Sequence, residues 1–429
     1  MHLTTYPKPT FEVVSSIKRP KIVIVAGQFP ARSETFVKNH VLRLAERGYQ
    51  VSVVSCGPGK DIYPEELSEI NRIVQNISIA QLDGPRFQKL FSLLNVYIRH
   101  PGMIRYALGA SPWTRLEMLV AHGIWAAIEQ LEPDIVHVHF GSKAGPLFRY
   151  RKPHCTTVVT WHGYDSNHLP NVRGDKMYEA LMALPLVHTV GSEFMCRRLE
   201  YLGAAPERIN QIPMGIDTEY FSYKARNLWK NTPLRILSVG RLDEMKGHTY
   251  LVEAINQLLE EGEQIELRII GSGPLQQQLE AQIESTQFSA VLQLLGAKTS
   301  REVLAEMHWA SLFCLTGVES TSGRVETQGV VLAEAQATGL PVVATSVGGV
   351  SGSLIDGSTG ILCRSGDIPD IKRAIRFYIR NRNAIGQFGR EGRRFIESNF
   401  SLKSMVDAFE TIYGCSDVTD VADQCCGPM

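Results

Sequence analysis

The sequence lacks the features that mark membrane-spanning and secreted proteins. It contains no uninterrupted apolar run of about 18 residues, which is the length needed to cross a bilayer. Its first residues lack a charged stretch followed by an apolar core, so no signal peptide is predicted. We therefore expect a cytoplasmic protein.

Cysteine is sparse, and charge of either sign is in balance. Eight cysteines are scattered over 429 residues without metal-ligand spacing, and only Cys425 and Cys426 are close in sequence. This pattern argues against a disulfide framework or a zinc site and favours a reducing compartment. The 44 Lys and Arg residues equal the 44 Asp and Glu residues, so the composition gives no support for a nucleic-acid partner.

Apolar, β-branched runs alternate with helical patterns along the chain, which is typical of strands buried in parallel sheets. A length of 429 residues predicts about two or three domains. The first strand is not followed by G-x-G-x-x-G, so a dinucleotide-binding site is not supported. The strands are expected at Lys21–Ala26, Tyr49–Ser55, Asp134–Phe140, Thr157–Trp161, Val187–Ser192, Leu234–Val239, Ile265–Ile270, Val291–Leu295, Leu312–Leu315 and Leu340–Ala344.

Helices are expected between these runs. Ser33 and Ser192 are suitable N-caps for two of them. The polar stretch Tyr223–Pro233 indicates a linker, which puts the domain boundary near Met214–Pro233. The expected helices are Ser33–Arg47, Ser192–Leu202, Val330–Ala337, Phe388–Phe400 and Leu402–Tyr413.

The stretch Thr316–Ser346 combines a polar loop, the helix Val330–Ala337 and a strand. The start of a helix has unpaired N–H groups and a partial positive charge, which suit phosphate. Glu326 before the helix and Glu334 within it could accept hydrogen bonds from sugar hydroxyls on either side of that phosphate. The predicted ligand is a sugar joined through phosphate to a ribose. The alternative is an ordinary crossover with two solvated glutamates.

Two cations follow the strand Leu234–Val239. Arg241 and Lys246 stand five positions apart across a turn that begins at Gly240 and ends at Gly247. A planar guanidinium and an ammonium could converge there on a pyrophosphate and neutralise the charge that develops on it. The alternative is a surface turn with solvated charges.

A histidine also follows a predicted strand directly. His162 comes after Thr157–Trp161 and before Gly163, where the ligand crevice of an α/β sheet opens. A lone histidine is more often structural, and His139 at another strand end is a weaker candidate.

Residues 84–116 contain no Asp or Glu, but carry five Arg or Lys residues among large apolar ones. Such a segment could dock on anionic lipid or form a groove for a lipid-linked acceptor. The alternative, which the composition favours, is a pair of core-packing helices with solvated basic edges.

Taken together, these motifs resemble the retaining nucleotide-sugar glycosyltransferases of family 4, which have the GT-B fold. The resemblance spans about Lys21 to Tyr413. The segment Phe29–Phe36 (FPARSETF) is similar to members that assemble bacterial exopolysaccharides such as colanic acid. The other matching motifs are the Glu326/Glu334 pair with its tail Glu334–Ala344, Gly240–Gly247, Thr160–Asp165, Gln211–Phe221 and Gly271–Pro274.

The chain departs from the family pattern in three places. Thr327 and Gln328 stand where many members have Gly-Phe, and Met214 replaces an Asn. Gly27 stands alone where other members carry a Gly pair.

The resemblance implies two Rossmann-like α/β domains that face each other across a cleft. It implies a lead-in at 1–20, an acceptor-side domain at 21–215 and a nucleotide-sugar-binding domain at 216–395. A helix at 396–413 is expected to cross back to the first domain, followed by a disordered tail at 414–429.

The resemblance also implies roles for individual residues in transfer of a sugar, with retention, to an acceptor hydroxyl. The leaving phosphate oxygen would take the acceptor proton on the same face. Arg241 and Lys246 would bind the diphosphate, Glu326 the sugar hydroxyls, Glu334 the ribose, and His162 would position the sugar. The remaining donor-binding residues would be Gly27, Gly240, Gly271, Gly329 and Val330.

The expected partners are a nucleotide-sugar donor and a glycan or lipid-linked acceptor, with possible peripheral contact at the inner face of the cell membrane. No cofactor and no metal are expected, because no Asp-x-Asp motif stands in a comparable position. Two alternatives keep the fold: a nucleotide-sugar epimerase or sugar phosphorylase, and a non-catalytic subunit that binds nucleotide sugars.

Overall fold

The computed structural model describes residues 19–31, 34–59, 62–79, 112–149, 151–226 and 232–414. The lead-in 1–18, the predicted cap Ser33 and the tail 415–429 lie outside the described residues. The basic–apolar segment 84–116 also lies outside them, except for the backbone from Pro112 onward. Within the described part of the chain, no helix is long and apolar enough to cross a membrane.

The first domain is built on a sheet of seven parallel strands in the order β3-β2-β1-β4-β5-β6-β7. Apolar residues cover both faces of its central strands, as expected for a parallel sheet enclosed by helices. The strands are β1 Lys21–Val25, β2 Gln50–Ser55, β3 Gln75–Ser78, β4 Ile135–His139, β5 Thr156–Trp161, β6 Val187–Val190 and β7 Ile209–Gln211. The helices are α1 Thr35–Glu46, α2 Pro64–Ile73, α3 Pro112–Leu131, α4 Gly141–Phe148, α5 Leu169–Arg173, α6 Glu179–Met182 and α7 Glu193–Tyr201.

The second domain contains a sheet of six parallel strands in the order β10-β9-β8-β11-β12-β13. Two apolar clusters pack against the faces of this sheet. The strands are β8 Leu234–Val239, β9 Ile265–Ile270, β10 Leu292–Leu294, β11 Leu312–Leu315, β12 Val342–Thr345 and β13 Gly360–Cys363. The helices are α8 His248–Glu260, α9 Gln276–Glu284, α10 Ser300–Trp309, α11 Val330–Ala337, α12 Ile368–Arg380 and α13 Arg382–Asn399.

The strand order reverses once in each sheet, between β1 and β4 and between β8 and β11. In parallel α/β sheets, ligand crevices open at the carboxyl ends of the strands at such a reversal. The loops that follow β1, β5, β8 and β11 carry Gly27, His162, Lys246 and Glu326. The predicted α/β architecture of two Rossmann-like domains is confirmed, and its topology directs these loops toward the candidate site.

The last helix, α14 Leu402–Gly414, returns to the first domain. Its apolar face packs with α1 and β1 in one cluster, and Arg47, directly after α1, forms ion pairs with Asp407, at 2.6 Å, and with Glu410. The chain crosses between the domains at Phe400, whose carbonyl accepts a hydrogen bond from the N–H of Ile216 at 2.7 Å. The expected crossing helix is therefore present, beginning at Leu402, while residues up to Asn399 belong to α13.

Candidate active site

A cavity of about 350 Å³ lies at the carboxyl end of the second sheet. It is bounded on one side by the turn after β8 and on the other by the loop that leads into α11. Among the residues that line it are Gly240, Arg241, Lys246, Lys298, Ser300, Glu326, Val330 and Glu334. Six of the ten residues that the sequence assigned to donor binding or catalysis are therefore brought together around one cavity.

The turn after β8 is held by the neighbouring strand and loop. The N–H of Gly240 donates to the carbonyl of Ile270 at 2.9 Å, which extends the β8–β9 pairing. Gly247 has φ +62°, and a Cβ there would overlap with the carbonyl oxygen of Thr316. Glycine is required at this position because it alone combines the left-handed conformation with such a close backbone approach. The turn thereby places the Lys246 side chain over Gly240.

Lys246 and Glu326 form an ion pair across the cavity, and each side chain is only 15% exposed. Burial acts to raise the pKa of Glu326. The charge and hydrogen bond of Lys246, with the N–H groups of Gly329 and Thr327, outweigh burial and lower the pKa below 4.5. Glu326 is therefore a charged hydrogen-bond acceptor at neutral pH.

Arg241 occupies the more open edge of the cavity. Its side chain is 67% exposed, and its Nε lies 3.8 Å from Oδ2 of Asp243. Arg324 approaches the same carboxylate oxygen at 3.8 Å, so two guanidinium groups share one buried carboxylate. These distances exceed those of good hydrogen bonds, and Arg241 remains free to turn toward an anionic ligand.

The helix α11 begins at the cavity and carries Glu334 in its middle. Gly329 precedes the helix with φ +75°, and Val330 is the first helical residue. The N–H groups at the start of a helix have no intrahelical partner and favour an anion. Burial raises the pKa of Glu334 to about 7. This carboxyl group is therefore a proton donor as well as an acceptor near neutral pH.

Gly271 supports the cavity rather than lining it. Its N–H donates to the carbonyl of Gly296 at 2.9 Å, and a Cβ on Gly271 would overlap with the carbonyl oxygen of Gly240. The residue therefore allows the β8 turn to approach the loop after β9.

His162 lies on the first-domain side, at the end of β5. Its ring lies between those of Phe36 and Phe140, with centroid distances of 4.4 and 4.5 Å. The backbone N–H of His162 donates to Oδ1 of Asp165 at 3.0 Å, and burial raises the pKa of that carboxyl group to about 6. Burial lowers the pKa of His162 well below 6.5, so its ring is neutral.

Gly27 is not among the residues that line the cavity. It follows β1 and lies against Lys143 of α4, whose Cε would be 3.1 Å from a Cβ on Gly27. Lys143 also acts on the pKa of Glu34, which burial raises and the lysine charge lowers. Neither Lys143 nor Glu34 was among the residues singled out from the sequence.

The two domains meet directly beside Glu326. The Oγ of Ser192 donates to the carbonyl of Thr327 at 2.6 Å, and the Cβ that Gly163 lacks would overlap with the side chain of Thr327. Gln328 is bonded to the backbone of Met214. The residues at two of the three departures from the family pattern therefore join the domains at this contact.

Among the described residues, one group of three histidines could hold a metal ion. The ligand atoms of His40, His137 and His139 all lie within 4.8 Å of one another. This group is buried beneath His162, in the first domain, and is not part of the cavity in the second domain.

Family models match nearly the whole described chain. Residues 33–220 match the model described as Glycosyltransferase Family 4, and residues 220–395 match the model described as Glycosyl transferases group 1. The chain belongs to glycosyltransferase family 4. This membership makes the protein an enzyme that uses a nucleotide sugar, and it confirms the resemblance that the motifs indicated.

The most similar relatives of this family 4 enzyme include proteins of bacterial exopolysaccharide synthesis. It is 28% identical to an amylovoran biosynthesis glycosyltransferase of Erwinia amylovora, with 81% of this chain and 88% of the relative covered. It is 29% identical to a putative colanic acid biosynthesis glycosyltransferase of Salmonella typhimurium, with 81% and 87% covered.

Solved structures share the GT-B fold of the enzyme. A glycosyltransferase of Rickettsia africae matches with a TM-score of 0.68 at 17% identity, covering 94% of this chain and 99% of that one. The Anabaena protein HepE in complex with UDP matches with a TM-score of 0.66 at 16% identity, covering 92% and 100%.

Proposed function

We propose that the enzyme transfers a sugar, with retention, from a nucleoside diphosphate sugar to a hydroxyl of a growing exopolysaccharide. The observation that supports this best is the single cavity between Lys246 and α11. It combines three cations (Arg241, Lys246 and Lys298), two carboxylates and the start of a helix within a volume of about 350 Å³. Such a cavity has the size and the few convergent polar groups of a small-molecule site.

Each polar group has a distinct role in this proposal. Arg241 and Lys246 bind the diphosphate and neutralise the charge that grows on it as the glycosidic bond breaks. The N–H group of Val330, and that of Gly329 once it leaves the Glu326 carboxylate, bind phosphate oxygens, with Gly240 and Gly271 allowing close backbone approach. Glu334 binds the ribose hydroxyls.

Glu326 and His162 complete the proposed site around the sugar. The diphosphate competes with Glu326 for Lys246, because these two side chains form an ion pair with each other. Glu326 then accepts hydrogen bonds from the sugar hydroxyls. The leaving phosphate oxygen takes the proton of the acceptor hydroxyl on the same face, so the anomeric configuration is retained.

Binding of the donor is tested with a thermal-shift panel of UDP-, GDP- and ADP-sugars on wild type, Lys246→Ala and Lys152→Ala. A ligand at a hundred times its Kd stabilises the fold by about 2.7 kcal/mol. One nucleotide series is expected to raise the midpoint of wild type and of Lys152→Ala, whose side chain is exposed. Lys246→Ala is expected to lose that rise. Equal rises in all three proteins would contradict the assigned phosphate site.

The reaction itself is tested by NMR of the anomeric proton in the product, with the donor identified by the panel. Retention of the donor's configuration supports the proposal, whereas inversion contradicts it. Interconversion of the donor without an acceptor would indicate an epimerase, and phosphate-dependent release of sugar phosphate would indicate a phosphorylase.

The acceptor is proposed to be a lipid-linked glycan at the inner face of the cell membrane. Two observations support it: the relatives' names refer to exopolysaccharide synthesis, and residues 84–116 carry basic and apolar side chains without a carboxylate. Replacing Arg99 and Arg105 with Glu is expected to weaken binding to anionic liposomes. Unchanged binding would remove the membrane part of the proposal.

A further inference from the structure

Four histidines of the first domain form one contiguous group. His40 belongs to α1, His137 and His139 to β4, and His162 follows β5. The rings of His137 and His139 are stacked with centroids 4.6 Å apart, and those of His139 and His162 with centroids 5.3 Å apart. His40 also stacks on Phe409 of α14, at 4.3 Å. The helix α14 therefore covers this group of histidines.

Their ring nitrogens form one continuous series of polar contacts. His162 Nε2 is 3.0 Å from His139 Nδ1, and His139 Nε2 is 3.4 Å from His40 Nδ1. His40 Nε2 is 3.4 Å from the hydroxyl of Tyr413, which is 2.6 Å from His137 Nδ1. His137 Nε2 is 2.6 Å from Thr160 Oγ1. The series thus joins Tyr413 of α14 to His162.

All four rings are neutral. Burial lowers the pKa of His139 to about 3, and it lowers those of His40, His137 and His162 well below 6.5, helped by the neighbouring rings. A neutral imidazole has one N–H and one acceptor nitrogen. In such a series, the nitrogen that carries the proton on one ring determines which nitrogen carries it on the next. The hydrogen bonds of the whole series can therefore be donated in only two directions.

The hydroxyl of Tyr413 decides between the two directions. Tyr413 donates its one proton either to His137 Nδ1, at 2.6 Å, or to His40 Nε2, at 3.4 Å. The shorter contact has the length of a strong O–H bond to an acceptor, whereas 3.4 Å is long for one, so the proton lies toward His137. His137 Nε2–H then donates to Thr160 Oγ1, whose own proton is directed to Thr189 Oγ1 at 2.5 Å. Because the hydroxyl proton of Tyr413 already bonds His137, the Tyr413 oxygen can only accept a hydrogen bond from His40 Nε2–H. His40 Nδ1 then accepts from His139, and His139 Nδ1 accepts from His162 Nε2–H.

We propose that Tyr413, acting through His40 and His139, fixes His162 as the tautomer with its proton on Nε2. The other nitrogen, Nδ1, is then an acceptor. That atom is buried and has no hydrogen-bond partner among the described residues, and its unmet acceptor capacity points to a hydroxyl of the donor sugar as its partner. The inference rests on the proposed function for the role of His162. Tyr413, His40 and His139 are positioning residues. Through them, a residue of α14 determines which nitrogen of His162 can accept a hydrogen bond from the sugar.

The test is ¹⁵N NMR of the histidine side chains in the full-length protein without substrate. Wild type is expected to show neutral Nε2–H for His162. Tyr413→Phe is expected to give a mixture of tautomers and to lower kcat about tenfold, the factor that corresponds to one hydrogen bond. Tyr378→Phe removes another buried tyrosine hydroxyl, in the second domain, and is expected to change neither. A wild-type His162 protonated on Nδ1, or an unchanged tautomer in Tyr413→Phe, overturns the proposal.

A second variant distinguishes loss of the hydrogen-bond series from misfolding caused by Tyr413→Phe. In His139→Asn the amide occupies the place of Nδ1, so the contact to His162 is kept and that to His40 is lost. It is expected to resemble Tyr413→Phe in tautomer and rate. Stoichiometric zinc in the purified wild-type protein would also overturn the proposal, because the histidines would then be metal ligands. Full transfer activity of His162→Ala would instead disprove the proposed role of His162, whatever tautomer the NMR shows.

Discussion

The side chain of Gln328 forms hydrogen bonds with both backbone groups of Met214, accepting from its N–H at 2.8 Å and donating to its carbonyl at 3.1 Å. Gln328 directly follows Glu326-Thr327 of the second domain, whereas Met214 lies where the chain leaves the first. Both residues differ from the common family pattern, in which an Asn precedes the Gly at the junction and a Phe stands in the loop. The pair therefore forms an interdomain contact from two positions at which this chain departs from that pattern.

Removing this contact is expected to loosen the junction. Gln328→Leu retains the volume but leaves two backbone groups of Met214 without partners, at a cost of about 2 kcal/mol. Hydrogen exchange is expected to be faster at the Met214 amide, with a lower urea midpoint. Gln293→Leu, at an exposed position of β10, is the control. Unchanged protection at Met214 would show that the contact does not hold the junction.

Glu334→Gln is expected to stabilise the protein in a pH-dependent manner. Burial raises the pKa of Glu334 from 4.5 to about 7, so between these values the folded chain keeps a proton that the unfolded chain has lost. Stability is therefore lost as pH rises through this range, and the loss is complete above about pH 7. The gain from Glu334→Gln is expected to be about 1–3 kcal/mol at pH 8 and near zero at pH 4, measured by urea unfolding.

The matched control is Glu284→Gln, at an exposed position of α9, which is expected to change stability little at either pH. A gain for Glu334→Gln that is equal at pH 4 and pH 8 would contradict the raised pKa. The same variant is expected to weaken nucleotide-sugar binding if Glu334 binds the ribose.

Breaking the Lys246–Glu326 pair from one side is expected to cost more than removing both charges. Lys246→Met leaves a largely buried carboxylate without its partner, at a cost of about 3 kcal/mol. Adding Glu326→Gln is expected to recover part of that loss, because the uncompensated charge is gone. Unfolding free energies of the two single variants and the double variant provide the cycle, and strict additivity would refute the coupling.

Gly247 and Gly262 separate two reasons why a position requires glycine: a left-handed backbone conformation and a lack of room for a Cβ. Both have positive φ, +62° and +91°, but a Cβ on Gly247 meets the carbonyl of Thr316, while nothing lies within 4 Å at Gly262. Gly262→Ala is expected to cost about 1 kcal/mol. Gly247→Ala is expected to cost at least about 3 kcal/mol, since the β8 turn must move. Equal Tm losses would mean that the turn adapts freely.

Much of the fold could be predicted because apolar patterning identifies buried elements. The helix Val330–Ala337 and the strand Leu312–Leu315 lie where the sequence placed them, and Ser192 caps its helix by accepting from the N–H of Met195. The strands β3 and β7 escaped notice because they are short and only partly buried. Their pairing depends on a neighbouring strand rather than on their own composition.

The site was predictable where a motif places its residues close together in the chain. Lys298, in the loop before α10, and Ser300, the first residue of α10, line the cavity but belong to no such motif, and nothing in the sequence marked them. Gln328 was noticed only as a departure, because its partner lies 114 residues away. The contact between Lys246 and Glu326, and the series of histidines, likewise required the packing of elements distant in sequence.

The return of α14 also affects how the protein is made. The first domain emerges early from the ribosome, but the helix that covers α1 is synthesised only after the second domain. At roughly 5–20 residues per second, the stretch from Gln211 to Leu402 takes about 10–40 s to translate. During that interval the apolar surface of α1 around Val41 lacks its cover, which makes the nascent chain a natural client for chaperones.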